Sequence, residues 1–368
     1  MTTTVNRTDT QASATAEEFG ERMFGAVLGA QLVQAVYLGD RLGYFRALAD
    51  GVELTSGELA ARTACAERYT REWLEHQAVC GVLTVTDSAV AATERRYRLP
   101  SGAAEVLTDV LSPNHVLPVA RFIAGLGVHM GSLADAYRSG TGLSWAEMGT
   151  DAREAQAATN RPLFLGALPR DYLPSVPEIQ AVLQRGGRLA DVGCGFGWSA
   201  IGLALAHPDI TVDGYDVDGP SIEAARRNAL EAGVADRVRF HLADATATEG
   251  RYDLVTAFEC IHDLPDPVSV LATMRRLAEP AGLVLVMDER VAEQFTAPGD
   301  DVEQLMYGYS LMCCLPDGLA HPGSVGTGTV MPGWASARPI DDQPYPQPTS
   351  ATRPPRSSTA WISGTAGR

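Results

Sequence analysis

Residues Arg188–Ala206 read RLADVGCGFGWSAIGLALA. An apolar run feeds three closely spaced glycines, Gly193, Gly195 and Gly197, and an alanine- and leucine-rich helical pattern follows. Strand, glycine turn and helix open a βαβ unit, and the chain downstream repeats the alternation. Strand-like runs RLADVG, TVDGYDV, VRFHLAD, YDLVTAFEC and GLVLVMDE are separated by helical patterns at 198–206, 219–232 and 266–279. The expected fold class is α/β, a mostly parallel sheet covered by helices, with any ligand at the carboxyl ends of the strands.

The glycine turn narrows the ligand. A dinucleotide site wants G-x-G-x-x-G, whereas the order here is G-x-G-x-G, with Asp191 two residues before the first glycine. An acid there repels a pyrophosphate and suits a ligand carrying an ammonium and a sulfonium, as S-adenosylmethionine does. The next strand ends at Asp216, at the distance where an acid accepts ribose hydroxyls. The third ends at Asp244, which can accept from an adenine amino group while Ala245 leaves room for the ring. Val217 and Glu259, at the ends of strands two and four, are counted with these cofactor candidates. Taken singly, an Asp at a strand end is a turn former or helix cap; the ordered set of three strand ends is what argues for a cofactor.

At LADVGCGFG, GYDVDG and HLADA the chain resembles the class I S-adenosylmethionine-dependent methyltransferases, whose Rossmann-like sheet carries such motifs in this order. With its N-terminal region it resembles the two-domain small-molecule members, from Glu17 to Met331. The resemblance implies S-adenosylmethionine as cofactor and a small-molecule methyl acceptor, with O-methylation the leading reaction. It also implies that the N-terminal module makes a homodimer and caps the substrate.

After strand four comes FECIHDLPDP. Plant-type O-methyltransferases carry a similar HD pair, which implies His262 as general base; an ordinary histidine pKa near 6.5 suits that work. Glu289 lies where those enzymes hold an orienting acid, with Asp288 the alternative because VMDER is uncertain by one residue; Asp263 reads as a turn cap. A structural histidine is the plainer reading of His262. A metal site built from His262, His321 and Cys313–Cys314 competes, but the spacings match no ligand pattern and no metal is expected.

The N-terminal half holds EFGERMFGAVLGAQLVQAVYLGDRLGYFRALA, with Phe19, Met23, Val27, Leu28, Leu32, Ala35, Val36 and Leu42 at helical spacing and a break near Gly39–Asp40. A capping box, Thr55 to Glu58, then opens one helix, a second spans about Glu67–Cys80, and GVLTVTDSAVAATERRYRLP reads as a hairpin. Helix, helix, hairpin outlines a winged helix. Between Thr55 and Arg98 six arginines meet six acids, so no net field favours DNA phosphates; a regulator reading the winged helix as a DNA binder stays second, as does a cofactor-binding protein without catalysis. From Pro113 to Gln184 the pattern is helical, broken at RSGTGLSWAEMG and LPRDYLPSVPE, where Trp145 and Met148 are weak substrate candidates that equally suit core.

The expected organisation is 1–15 disordered, 16–111 winged-helix dimerisation domain, 112–184 helical connector and lid, 185–331 Rossmann-like domain, and 332–368 an irregular proline-rich tail. That tail carries seven prolines and cannot supply the further strands that usually complete such a sheet, so a changed reading frame after Met331 or a genuine tail is expected. The net charge of -16 disfavours nucleic acid and anionic membrane. All basic residues are arginine, which excludes Schiff-base and Walker-lysine chemistry. The six cysteines form no CxxC pair, and neither a signal segment nor a membrane span is read, so a cytoplasmic protein is expected.

Overall fold

The computed structural model describes residues 15–331 except 293, so the expectations for residues 1–14 and 332–368 lie outside the described residues. The chain divides into two compact units, 1–104 and 105–368; the sequence reading sets that boundary after residue 111. Thr15, assigned above to a disordered segment, instead accepts from the Glu18 amide in a capping box that starts the first helix.

In the first unit helix α1 runs Ala16–Arg41 and α2 Tyr44–Leu48, with Gly43 between them in the left-handed region at φ 73°. The break thus falls just after the position read from Gly39–Asp40. Helix α3 (Ser56–Thr63) opens with the Thr55–Glu58 capping box, α4 spans Glu67–Val79, and strands β1 (Thr84–Val85) and β2 (Tyr97–Arg98) pair antiparallel. Tyr44, Phe45, Leu59, Leu74 and Tyr97 form the buried centre, and the Trp73 indole donates to the Ala35 carbonyl at 2.8 Å. Most of the α1 stripe is uncovered: Phe19, Met23, Phe24, Val27 and Leu28 are all exposed.

Helix α5 (Ser101–Thr108) crosses the boundary, and the second unit continues with α6 (Leu117–Gly127), α7 (Met130–Ser139), α8 (Trp145–Leu165) and α9 (Pro177–Gln184). Then come β3 (Arg188–Val192), α10 (Trp198–Ala206), β4 (Thr211–Asp216), α11 (Gly219–Glu231), β5 (Val238–Leu242), β6 (Tyr252–Phe258), α12 (Pro267–Leu277) and β7 (Ala278–Met287). All five strand-like runs are strands, because each is an apolar segment ended by turn residues. They form one parallel sheet in the order β5-β4-β3-β6-β7. Chain order runs outward from β3 to β5, then jumps back across β3 to β6. The strand order therefore reverses between β3 and β6, and the crevice for ligands opens at their carboxyl ends.

Among the described residues β7 is an edge, and helices follow it: α13 (Asp301–Tyr309), a π-wound segment Ser310–Cys314, and α14 (Leu315–Leu319). This segment packs with α6 and α8 through Phe122, Leu126, Met148, Ala152, Cys313 and Cys314. Helix α8 in turn lies on α10 so closely that a Cβ on Gly202 would stand 1.9 Å from the Phe164 carbonyl oxygen. Arg153 of α8 also forks onto Asp218 at 2.8 and 2.9 Å, tying the connector to the turn after β4.

Candidate active site

Three glycines shape the turn between β3 and α10, with φ of 69° at Gly193, 50° at Gly195 and 77° at Gly197. Two are also held to glycine by their neighbours: a Cβ would meet Cys260 Sγ at 2.6 Å from Gly193 and the Phe240 ring at 2.3 Å from Gly197. Gly195 differs, since a Cβ there would meet nothing within 4 Å. Its amide donates to Asp216 Oδ2 at 2.8 Å. Asp216 thereby fastens the turn to the end of β4, and its other oxygen accepts the Asp218 amide at 2.9 Å.

Asp191 does not face that space. It is buried at 1% exposure, and its oxygens accept from the Ser199 and Thr256 hydroxyls. Burial pushes its pKa up to about 6, partly offset by those two hydrogen bonds. Its carboxylate, expected to face the ligand, is engaged by these two hydroxyls at the base of the turn. Asp244 is exposed and caps the short turn Ala245–Ala247 by accepting from Thr246. Val217 stands exposed beside Asp216.

The end of β6 carries the second half of the site. Glu259 is one of two non-glycine residues with positive φ among those described, at 51°; such strain persists where surroundings enforce it and concentrates at functional sites. Its amide donates to the Met287 carbonyl at 2.7 Å, which locks the ends of β6 and β7 together. Burial, then the Glu289 and Asp288 charges, push its carboxyl pKa up to about 8, against a hydrogen bond from Asn160.

His262 follows in the turn Ile261–Asp263 and is 4% exposed. Its Nδ1 meets Asp288 Oδ1, and its Nε2 lies 3.3 Å from Asp263 Oδ1. The acid on the imidazole is therefore Asp288 and not Glu289, because the β6–β7 lock brings the first residue after Met287 alongside the turn. Glu289 is pushed up to about 7 by burial, and its Oε2 is buried without a hydrogen bond. The imidazole's expected ordinary pKa is also corrected. Burial opposes its charging, but Asp263 and Asp288 outweigh burial and hold the pKa well above 6.5. Asp263 caps nothing: Asp266 does, accepting the Ser269 amide at 3.0 Å to start α12.

The remaining candidates separate. Met148 is enclosed in the helical core with its Sδ 3.4 Å from Cys313 Sγ, and Trp145 packs against the same cluster while its amide donates to Asp317 at 2.7 Å. Both belong to packing. His321 stands 3.9 Å from Asp317, apart from His262. One residue escaped the sequence reading. Arg161 of α8 lies over the Trp198 ring at 4.3 Å, immediately after the glycine turn, and its Nε is buried without a hydrogen bond. Cys314, weighed above with His262, Cys313 and His321, is brought to His262 by the π-wound segment, while His321 is not.

This geometry agrees with comparison to known proteins. Residues 183–317 match a family described as methyltransferase domain. The second unit contains a methyltransferase domain. Residues 30–109 match an Rv2258c-like winged HTH domain, in agreement with the outline of the first unit. A ubiquinone biosynthesis O-methyltransferase from Bordetella avium is 39% identical over 111 residues, 30% of this chain and 45% of that protein, so the chain matches less than half the length of that curated relative. The structure of the mitomycin 7-O-methyltransferase MmcR has a TM-score of 0.61 at 21% identity, covering 86% of this chain and 89% of that one. Human N-acetylserotonin methyltransferase, solved with S-adenosylmethionine, has a TM-score of 0.58 at 20% identity, covering 87% and 90%. The methyltransferase domain thus shares their fold. Among the described residues no single helix is long and apolar enough to cross a membrane.

Proposed function

We propose that the protein transfers the methyl group of S-adenosylmethionine to a hydroxyl of a small molecule. The observation that carries this reading is the pairing of open space over Gly195 with Asp216 at the adjoining strand end, at the point where the sheet order reverses. The methionine moiety would lie over the glycine turn, the ribose hydroxyls at Asp216, and the adenine between Val217 and Asp244–Ala245. Arg161, whose Nε is buried without a hydrogen bond, would neutralise the methionine carboxylate. Glu259, strained and facing the same crevice end, suits the ammonium.

His262, oriented by Asp288, would take the proton of the acceptor hydroxyl, while positioning in line with the sulfonium methyl supplies most of the rate. Calorimetry with S-adenosylmethionine tests the cofactor reading. Asp216→Ala and Arg161→Met should each weaken binding about 10- to 100-fold, the scale of roughly 1.5–3 kcal/mol for a hydrogen bond to a charged group. Unchanged affinity in both variants would remove the cofactor from this crevice.

The exposed stripe on α1 fits a second copy of the chain, since Phe24 alone is 63% exposed and four further apolar side chains join it. Light scattering should report twice the chain mass, and Phe24→Glu with Leu28→Glu should give a monomer; a monomeric wild type would end this assignment. The balanced charge of α3, α4 and the hairpin does not suit DNA phosphates. The six cysteines are all free, which suits a reducing compartment such as the cytoplasm.

A further inference from the structure

We infer that His262, Asp263 and Cys314 form a binding site for a thiophilic divalent cation such as zinc. Their donor atoms, one from each side chain, lie within 4.8 Å of one another. Around a tetrahedral zinc ion two N or O ligands stand about 3.3 Å apart, and N and S about 3.6 Å. Nε2 and Asp263 Oδ1 are already 3.3 Å apart. Cys314 Sγ would move toward this pair to complete the triangle.

Three independent features prepare these atoms for a cation. Asp263 Oδ1 is shut off from solvent and makes no well-formed hydrogen bond, its one charged contact being His262 Nε2 at 3.3 Å, so a cation there would satisfy it directly. Asp288 occupies Nδ1, so the proton that a cation would displace is the one on Nε2, and the lone pair it leaves lies on the side of Asp263 and Cys314. This carboxylate–histidine relay is the arrangement that orients histidine ligands in metal sites. Finally, two carboxylates, Asp263 and Asp288, contact the one imidazole, and a dication bound beside them compensates the charge of that pair.

The π-wound turn Ser310–Cys314 carries the two adjacent cysteines. Cys313 meets Met148 in the core and Cys314 meets His262, so only the second is a ligand. Three protein ligands leave a fourth position for water or an acceptor oxygen. A cation on Nε2 occupies the lone pair that the proposed base would use, so metal binding and base action exclude each other. That consequence rests on the proposed function; the binding site does not.

The test uses the full chain, stripped with a chelator under reducing conditions and titrated with cobalt(II). One equivalent is expected to bind with thiolate-to-cobalt charge-transfer absorption, and zinc should bleach it. Cys314→Ser should abolish that band, and Asp263→Asn should weaken cobalt binding at least tenfold. Cys80→Ser is the control, because Cys80 Sγ stands 3.7 Å from His76 Nε2 on α4 and offers a second histidine–cysteine pair. It should leave the band unchanged. The proposal is overturned by absence of the band, by its survival in folded Cys314→Ser, or by its loss in Cys80→Ser. If Cys314→Ser does not fold, unchanged cobalt affinity in Asp263→Asn overturns it alone. The spectrum needs no methyl acceptor, so failure of the site and failure of the methyltransferase reading are read separately.

Discussion

His262→Ala is expected to lower kcat by about 10²- to 10⁴-fold on any hydroxyl acceptor that the wild type methylates, with little change in the dissociation constant for S-adenosylmethionine. The imidazole lies at the carboxyl end of β6, next to the crevice, while most of the proposed cofactor contacts lie at the ends of β3, β4 and β5. Asp288 holds Nδ1, so the deprotonated imidazole, favoured as pH rises through its raised pKa, offers Nε2 as the base, and the imidazolium formed is stabilised by Asp263 and Asp288 against the cost of burial. Asp288→Asn keeps the shape and removes the charge that favours both the tautomer and the cation, so it should lose at least about tenfold in kcat by the same logic. Glu289→Gln is the discriminating partner, because Glu289 makes no hydrogen bond to the imidazole. Equal losses in the two acid variants would contradict the assignment of Asp288. Full activity in folded His262→Ala would leave methyl transfer to proximity alone.

Gly202→Ala is expected to lower stability by roughly 3 kcal/mol, a severe case of overpacking. The melting temperature should then fall by about 6–12 °C. The added methyl would stand 1.9 Å from the Phe164 carbonyl oxygen and 2.9 Å from its carbon, both backbone atoms that cannot swing aside as a side-chain end could. Helices α8 and α10 must therefore separate, and with them Arg153 from Asp218 and Arg161 from Trp198. Gly195→Ala is the contrast. It meets no neighbour within 4 Å, so it costs only the strain of a left-handed alanine, about 1–2 kcal/mol, yet it fills the space assigned to the cofactor. Gly202→Ala should thus act on melting and Gly195→Ala on S-adenosylmethionine affinity. A wild-type melting temperature in Gly202→Ala would refute the close approach.

The amino-acid sequence determined the parallel sheet, because apolar runs ended by turn residues and followed by helical periodicity are local signals. Trp198–Ala206 falls on the helix read from its pattern, and the Thr55–Glu58 capping box forms as its spacing requires. The glycine turn was legible for the same reason, since left-handed backbone at Gly193 and Gly197 admits few other residues. What followed each strand end was not legible. Whether Asp288 or Glu289 meets His262 turns on one residue of register after β7, and a shift of one reverses the direction of a side chain. Asp263 read as a cap because turn chemistry is local, yet it faces His262 because Asp266 starts α12 instead. Cys314 and Arg161 reach the site from helices remote in the chain, and Asp191 is drawn inward by Ser199 and Thr256. Contacts of that kind leave no periodicity behind, so only tertiary packing decided which of the acids would brace, which would orient, and which would crowd a single buried imidazole.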